Sequence, residues 1–173
     1  MAATVSTTSV RTQTSVLATD TVGSTTTATV FGTSWTMPAN ALTVGRGLQV
    51  VARGIYSTAA ALPGNLTLDV MGGTTVLAST GAQALTAGLA NSGWEVAADI
   101  VCGTTGAAGA VEAQGLSILT TGLLTANQEF MVNTAGVSLS TTVSQAIVPR
   151  VTWSATGNTI TMRLLRVDML GAQ

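Results

Sequence analysis

Toward its C-terminal end the chain reads GNTITMRLLRVDML over residues 157–170, with apolar and polar positions alternating almost throughout. Ile160, Met162 and Leu164 share one face at a period of two, and Thr161 and Arg163 the other, the pattern of a half-buried antiparallel strand. At Leu164-Leu165 the phase slips by one, so that Leu165, Val167 and Met169 become the apolar set while Arg166 and Asp168 turn outward. A β-bulge there produces such a slip. A strand buried on both faces, one of them against a partner chain, produces the same pattern.

The same alternation recurs upstream in short runs bounded by Gly, Pro, Asn and Ser. It predicts strands over residues 25–32, 46–57, 65–72, 74–80, 93–103, 109–120, 129–133, 136–142 and 147–155, besides the last. About ten strands with mostly short connections is the spacing of a sandwich or barrel. No segment carries a helical period, and PANALTVG (38–45) is at most one turn of helix or 3₁₀. Leu48, Val50, Leu66, Leu68, Val70, Trp94, Val96, Ile100, Val151, Trp153 and the apolar positions of the final strand are expected to face inward. Pro149 lies inside a strand pattern, where a missing N–H fits an edge or a bulge. The Gly/Ala-rich segments 84–93 and 103–110 read as loops, and no linker divides the chain.

Composition sharpens this picture. With 173 residues the chain fits one domain, large enough to form a core without disulfide or metal. Charged residues are only 8% of it, against about 25% in typical soluble domains. Thr, Ser, Gly and Ala take their place, and lysine and histidine are absent. Surfaces kept apart in solution normally carry scattered Lys and Glu, so much of this one is expected to be covered by partners. The net charge of −1, with six Arg spread singly, argues against nucleic-acid binding. The first residues lack the basic and apolar regions of a signal peptide, and no apolar run reaches membrane-spanning length. The expectation is synthesis in a cytoplasm and no membrane partner.

Most catalytic chemistry is excluded by residue type. Without His there is no usual serine triad, and without Lys no phosphate-binding GxxxxGK[ST] loop. The spaced glycines of GTTGAAG lack the strand-then-helix setting of a dinucleotide site. Glu95 and Asp99 share a strand face, yet four residues place them roughly 13 Å apart, beyond the roughly 5–9.5 Å of paired glycosidase carboxylates. Cys102 falls on the alternating face of Trp94, Val96, Ala98 and Ile100 and reads as a small core residue. No Cys/His set suits zinc and no EF-hand spacing suits calcium; an oxygen-only calcium site from Asp69, Asp99 or loop carbonyls stays open. No enzyme activity, catalytic residue, cofactor or dedicated metal site is expected.

Residues 1 to about 20 alternate Val with Ser/Thr and carry few large side chains. They read as an extended arm that adds a strand to another chain's sheet edge, a mobile tail being the alternative. The contact residues expected there are Thr4, Val5, Thr7, Val10, Arg11, Thr12, Thr14 and Val16. Arg46, Arg53, Arg163 and Arg166 are candidate interchain contacts, because guanidinium forks pair carboxylates of a neighbour; edge and loop solubility is the plainer reading. Arg150 is expected to point outward like Arg163 and Arg166.

Three segments together resemble a domain of tailed-bacteriophage virion structural proteins: WTMPANALTVGRGLQVVARGIYST (35–58), GWEVAADIVC followed by GAVEAQG (93–115), and VTWSATGNTITMRLLRVDML (151–170). The shared features are an aromatic residue leading to Pro-Ala-Asn and Gly-Arg, and a closing Asn-Thr-Ile-Thr running to Val167-Asp168. The resemblance implies an all-β antiparallel jelly-roll sandwich over residues 35–173 after an N-terminal arm and first strand over 1–34, assembled as a homotrimer on a virion. Two roles are known for such folds: cement or decoration proteins that bind the major capsid protein and clamp adjacent capsomers, and tail-fibre or receptor-binding tips. The short stretch before the domain and the arm favour capsid cement on the capsid surface; the scarcity of exposed aromatics, with Trp35 alone outside the expected core, weighs against a sugar-binding tip.

Overall fold

The computed structural model describes residues 11–122, 125–133 and 135–171, with backbone only at residues 11–14 and 18. Alternation sets the architecture: each strand offers one apolar face, and burying those faces against each other makes two antiparallel sheets in one sandwich, with no helix among the described residues. The strands are β1 (Arg11–Gly23), β2 (Thr29–Val30), β3 (Trp35–Met37), β4 (Gly47–Ser57), β5 (Asn65–Gly72), β6 (Thr75–Ser79), β7 (Gln83–Ala84), β8 (Ser92–Thr104), β9 (Ala110–Gly122), β10 (Thr125–Val132), β11 (Val137–Ser138), β12 (Gln145–Trp153) and β13 (Thr159–Leu170). The larger sheet runs β1-β13-β4-β8-β9-β10, with β11 also on β9. The smaller runs β2-β12-β5-β6, with β3 on β12 and β7 on β5. Pairing is nested, β4 with β13 in one sheet and β5 with β12 in the other. That wrapping is compatible with a jelly roll.

The core lies between the sheets and contains every interior position expected from the sequence, Leu164 excepted. Leu164 is half-buried because the phase slip falls one step earlier than the apolar pattern places it: the register against β4 jumps between Met162 and Leu164, leaving Arg163 as the extra, exposed residue. Ile160 and Met162 before the bulge, and Leu165, Val167 and Met169 after it, all point into the core. Near the bulge, the Trp94 indole N–H donates to the Thr161 carbonyl at 3.1 Å, passing over Gly54, where any Cβ would collide with that same carbonyl. Phe31 stacks on Trp94 with centroids 5.8 Å apart.

Each end of the sandwich is tied by one buried polar residue. At one, Asn158 accepts from the Ala59 N–H at 2.9 Å through Oδ1 and donates through Nδ2 to the carbonyls of Pro63 and Ala155 at 2.8 and 3.1 Å. At the other, Thr141 Oγ1 accepts from the Gly106 N–H at 2.9 Å, while its carbonyl accepts from the Asn40 N–H at 2.6 Å. Asn40 has φ 61°, and Ala41 N–H closes back on the Pro38 carbonyl at 3.2 Å. Pro-Ala-Asn is therefore a β-turn with Asn in the left-handed region, not a helical turn.

Two other expectations change. Pro149 is at neither an edge nor a bulge: β12 is flanked on both sides, and Pro149 occupies the gap between its pairings with β3 (residues 145–147) and β2 (150–151). Its carbonyl points to that gap and accepts from the Phe31 N–H, so the N–H it lacks falls where no strand partner asks for one. The arm also differs. From Arg11 onward it is β1, paired with β13 of its own chain.

Candidate interaction surface

The outer face of the larger sheet is the broadest surface the fold presents, and alternation decides what it carries. One row of register partners crosses it as Ser15, Arg166, Val51, Ala97, Leu116 and Phe130. The next crosses as Leu17, Leu164, Arg53, Glu95, Ile118 and Gln128. Most of these are apolar, and two large ones stand well into solvent: Leu17 at 89% and Phe130 at 76% exposure.

Two ion pairs lie on this face, and Asp99 and Glu112 stand exposed on it with no cation paired to them among the described residues. Arg53 pairs with Glu95 at 2.9 Å, and Arg166 with Asp168 at 2.9 Å. Arg166 also reaches Gln49, whose amide donates to Asp99 at 3.0 Å. Asp168, expected to turn outward, does lie on the outer face but is buried there. Of the four arginines proposed for interchain contacts, Arg53 and Arg166 thus meet carboxylates of their own chain. Arg46 donates to the Ala41 carbonyl at 3.3 Å, and Arg163 is exposed at the bulge.

A depression of about 180 Å³ opens on the same face, lined by Gly93, Trp94, Glu95, Ile118 and Thr120. Its origin is the missing side chain of Gly93, whose added Cβ would meet only Thr120 Oγ1, at 3.3 Å. Sequence reading placed Gly93 where a loop meets a strand and missed the depression. The signal available was a glycine in an otherwise unbroken alternation, where close approach is expected.

Of the expected arm contacts, Thr4, Val5, Thr7 and Val10 lie outside the described residues. Arg11, Thr12 and Thr14 are placed only by backbone, in β1 opposite Met169, Asp168 and Val167. Val16 lies across from Leu165 and is half-exposed. Asp20, near the end of β1, accepts from the Thr33 N–H at 2.6 Å and ties this strand to the loop between β2 and β3.

The acidic groups considered for calcium have other partners. Asp69, buried on the small sheet's outer face, takes both Nε and Nη2 of Arg150 at 2.9 and 2.7 Å, so Arg150 spans to β5 instead of pointing free. Asp99 has Gln49. Among the described residues no three His, Cys, Asp or Glu lie together. Cys102 is buried and unpaired to another sulfur; burial pushes its thiol up, away from the reactive thiolate. Burial likewise pushes the Tyr56 hydroxyl up to about 12 while it donates to the Thr120 carbonyl at 2.8 Å.

No protein-family model matches the chain, and no curated protein matches it. Among solved structures it is similar to the CBM2 module of an evolved Dit protein from Lactobacillus casei BL23 phage J-1, at 15% identity and a TM-score of 0.39, over 81% of this chain and 69% of that one. A likeness of that size transfers no role, and the functional reading rests on the chain's own residues.

Proposed function

We propose that the protein is a bacteriophage virion component, a homotrimer that binds the major capsid protein as cement on the capsid surface. The observation that carries this reading is the set of segments at 35–58, 93–115 and 151–170, which resemble phage virion jelly rolls, in a chain folded as an all-β sandwich. Two further features support it. The surface is poor in charge and has no lysine, and the large sheet has a broad, mostly apolar outer face. Mechanism in this reading is multivalent: several weak contacts made by one trimer act at high effective concentration and hold neighbouring capsomers together. The contacts are assigned to Thr4, Val5, Thr7 and Val10, with Arg11, Thr12, Thr14 and Val16 where β1 reaches the sheet's end.

The test mixes the purified protein with undecorated capsids of its phage and, separately, with host cells. Saturation of capsids in multiples of three copies, without binding to cells, is expected. Binding to cells alone would replace cement by the receptor-binding tip.

A further inference from the structure

β10 is an open edge of a kind that folded chains seldom leave bare. Among the described residues it pairs only with β9, and Met131 is its one buried side chain, Asn127 and Glu129 on the same face being exposed. Every second residue of an edge strand turns its N–H and C=O away from the sheet, and a row of such groups is matched in full only by another extended strand. Proteins protect such edges by shortness, bulges, proline or lysine, and the other borders of this fold show these devices. β1 is broken by register shifts at Thr12/Thr14 and Leu17/Asp20. The small sheet is bordered by β2, β3, β6 and β7, of two, three, five and two residues. β10 lacks them all: from Ala126 to Val132 its register against β9 runs without a shift, and TANQEFMV holds no proline, no lysine and a single charge, Glu129. We propose that β10 pairs antiparallel with β10 of a second copy about a two-fold axis, with Phe130 of one copy opposite Phe130 of the other.

The edge itself selects this occupant. A foreign strand is recognised by pockets for its alternate side chains, and the depression at Gly93 is lined from β8 and β9, with no residue of β10. What the edge offers instead is the Phe130 ring, 76% exposed. A second copy brings a like ring at the matching height, on a strand equally bare. A two-fold axis normal to the sheet makes the pairing antiparallel, the more stable ladder, and keeps opposite residues on one face. Centred on Phe130, it sets the two rings side by side as an aromatic cross-strand pair and places Glu129 opposite Met131 of the other copy. Centring one residue earlier would set Glu129 against Glu129, two like charges face to face. A ladder of about seven residues is roughly 24 Å long, a small contact beside a standard interface, so the pairing is expected to depend on concentration. It does not rest on the virion reading: being two-fold, it is separate from the three-fold assembly, and with it would join one trimer to the next.

Cysteine cross-linking of the whole chain tests the pairing and its register. Phe130→Cys brings two thiols across the axis with Cβ atoms about 5 Å apart, close enough for a disulfide. Asn127→Cys, equally exposed on the same strand, leaves them about 20 Å apart. The native Cys102 is buried and does not compete. Under mild oxidation Phe130→Cys is expected to form linked pairs on a non-reducing gel at least tenfold faster than Asn127→Cys; equal rates, or no linkage at position 130, overturn the proposal. Sedimentation velocity over a range of concentrations gives a second reading, with far-UV dichroism checking the fold. The wild type should double its mass as concentration rises. Phe130→Lys, which sets two ammonium groups across the axis, should weaken that doubling roughly tenfold or more. A variant that doubles as readily as the wild type overturns the contact. So does a wild-type trimer that never doubles, and that result leaves the virion reading standing.

Discussion

At the scale of single residues, the positions that carry the family resemblance are those that hold backbone. Asn158, from the closing Asn-Thr-Ile-Thr, spends its whole amide on three loop groups; Asn40, from Pro-Ala-Asn, supplies a left-handed turn. Asn158→Asp keeps shape but sets a carboxylate oxygen against the carbonyls of Pro63 and Ala155, leaving buried acceptors unmatched. The expected loss is about 3 kcal/mol or more by denaturant unfolding, partly recovered at acidic pH, where a protonated carboxyl donates one bond. Gly54→Ala should cost about 3 kcal/mol as well, because its Cβ meets the Thr161 carbonyl and the Trp94 indole; the same substitution at Gly45, where nothing lies within 4 Å, tests φ strain without collision. A smaller loss at position 54 than at 45 would refute the close-approach argument.

For whole elements, what could be read from sequence tracks what a strand buries. β4, β5, β8 and β13 announce themselves because one face alternates into the core. β10 escapes over Thr125–Gln128, since an edge strand exposed on both faces has no reason to alternate. β3 and β7 are too short for a period, and the depression depends on which strands flank Gly93, which is a matter of tertiary pairing. The arm was legible as a strand but not as a strand of its own sheet, because Val-Thr alternation states a propensity and names no partner. Truncation separates its parts. Removing residues 1–10 tests the proposed contacts and should lower capsid binding; removing 1–20 also takes most of β1 and the Asp20 bond to Thr33, at a cost of about 2 kcal/mol or more. Equal melting curves for the two truncations would mean that β1 adds nothing to the fold.

For the molecule as a whole, the lack of lysine leaves alkaline stability to few groups. The chain has one Tyr and one Cys, and burial raises both above their ordinary values. An unfolded tyrosine gives up its proton near pH 10 while folded Tyr56 keeps it to about 12. Stability from Tyr56 is therefore full below pH 10 and lost as pH rises toward 12, by about 3 kcal/mol. Cys102 acts in the same sense from a lower starting point. Tyr56→Phe should lose about 1 kcal/mol at neutral pH with its bond to Thr120 and flatten the decline above pH 10, as urea unfolding across that range would register.

Trp94 joins both sides of the large sheet. Its ring packs on Phe31 inside, its N–H is held by Thr161, and the residue is among those lining the outer depression. With Trp35 and Trp153 replaced, the buried indole is consequently a native optical gauge of that face: a guest settling there would shift its emission colour, with no label attached.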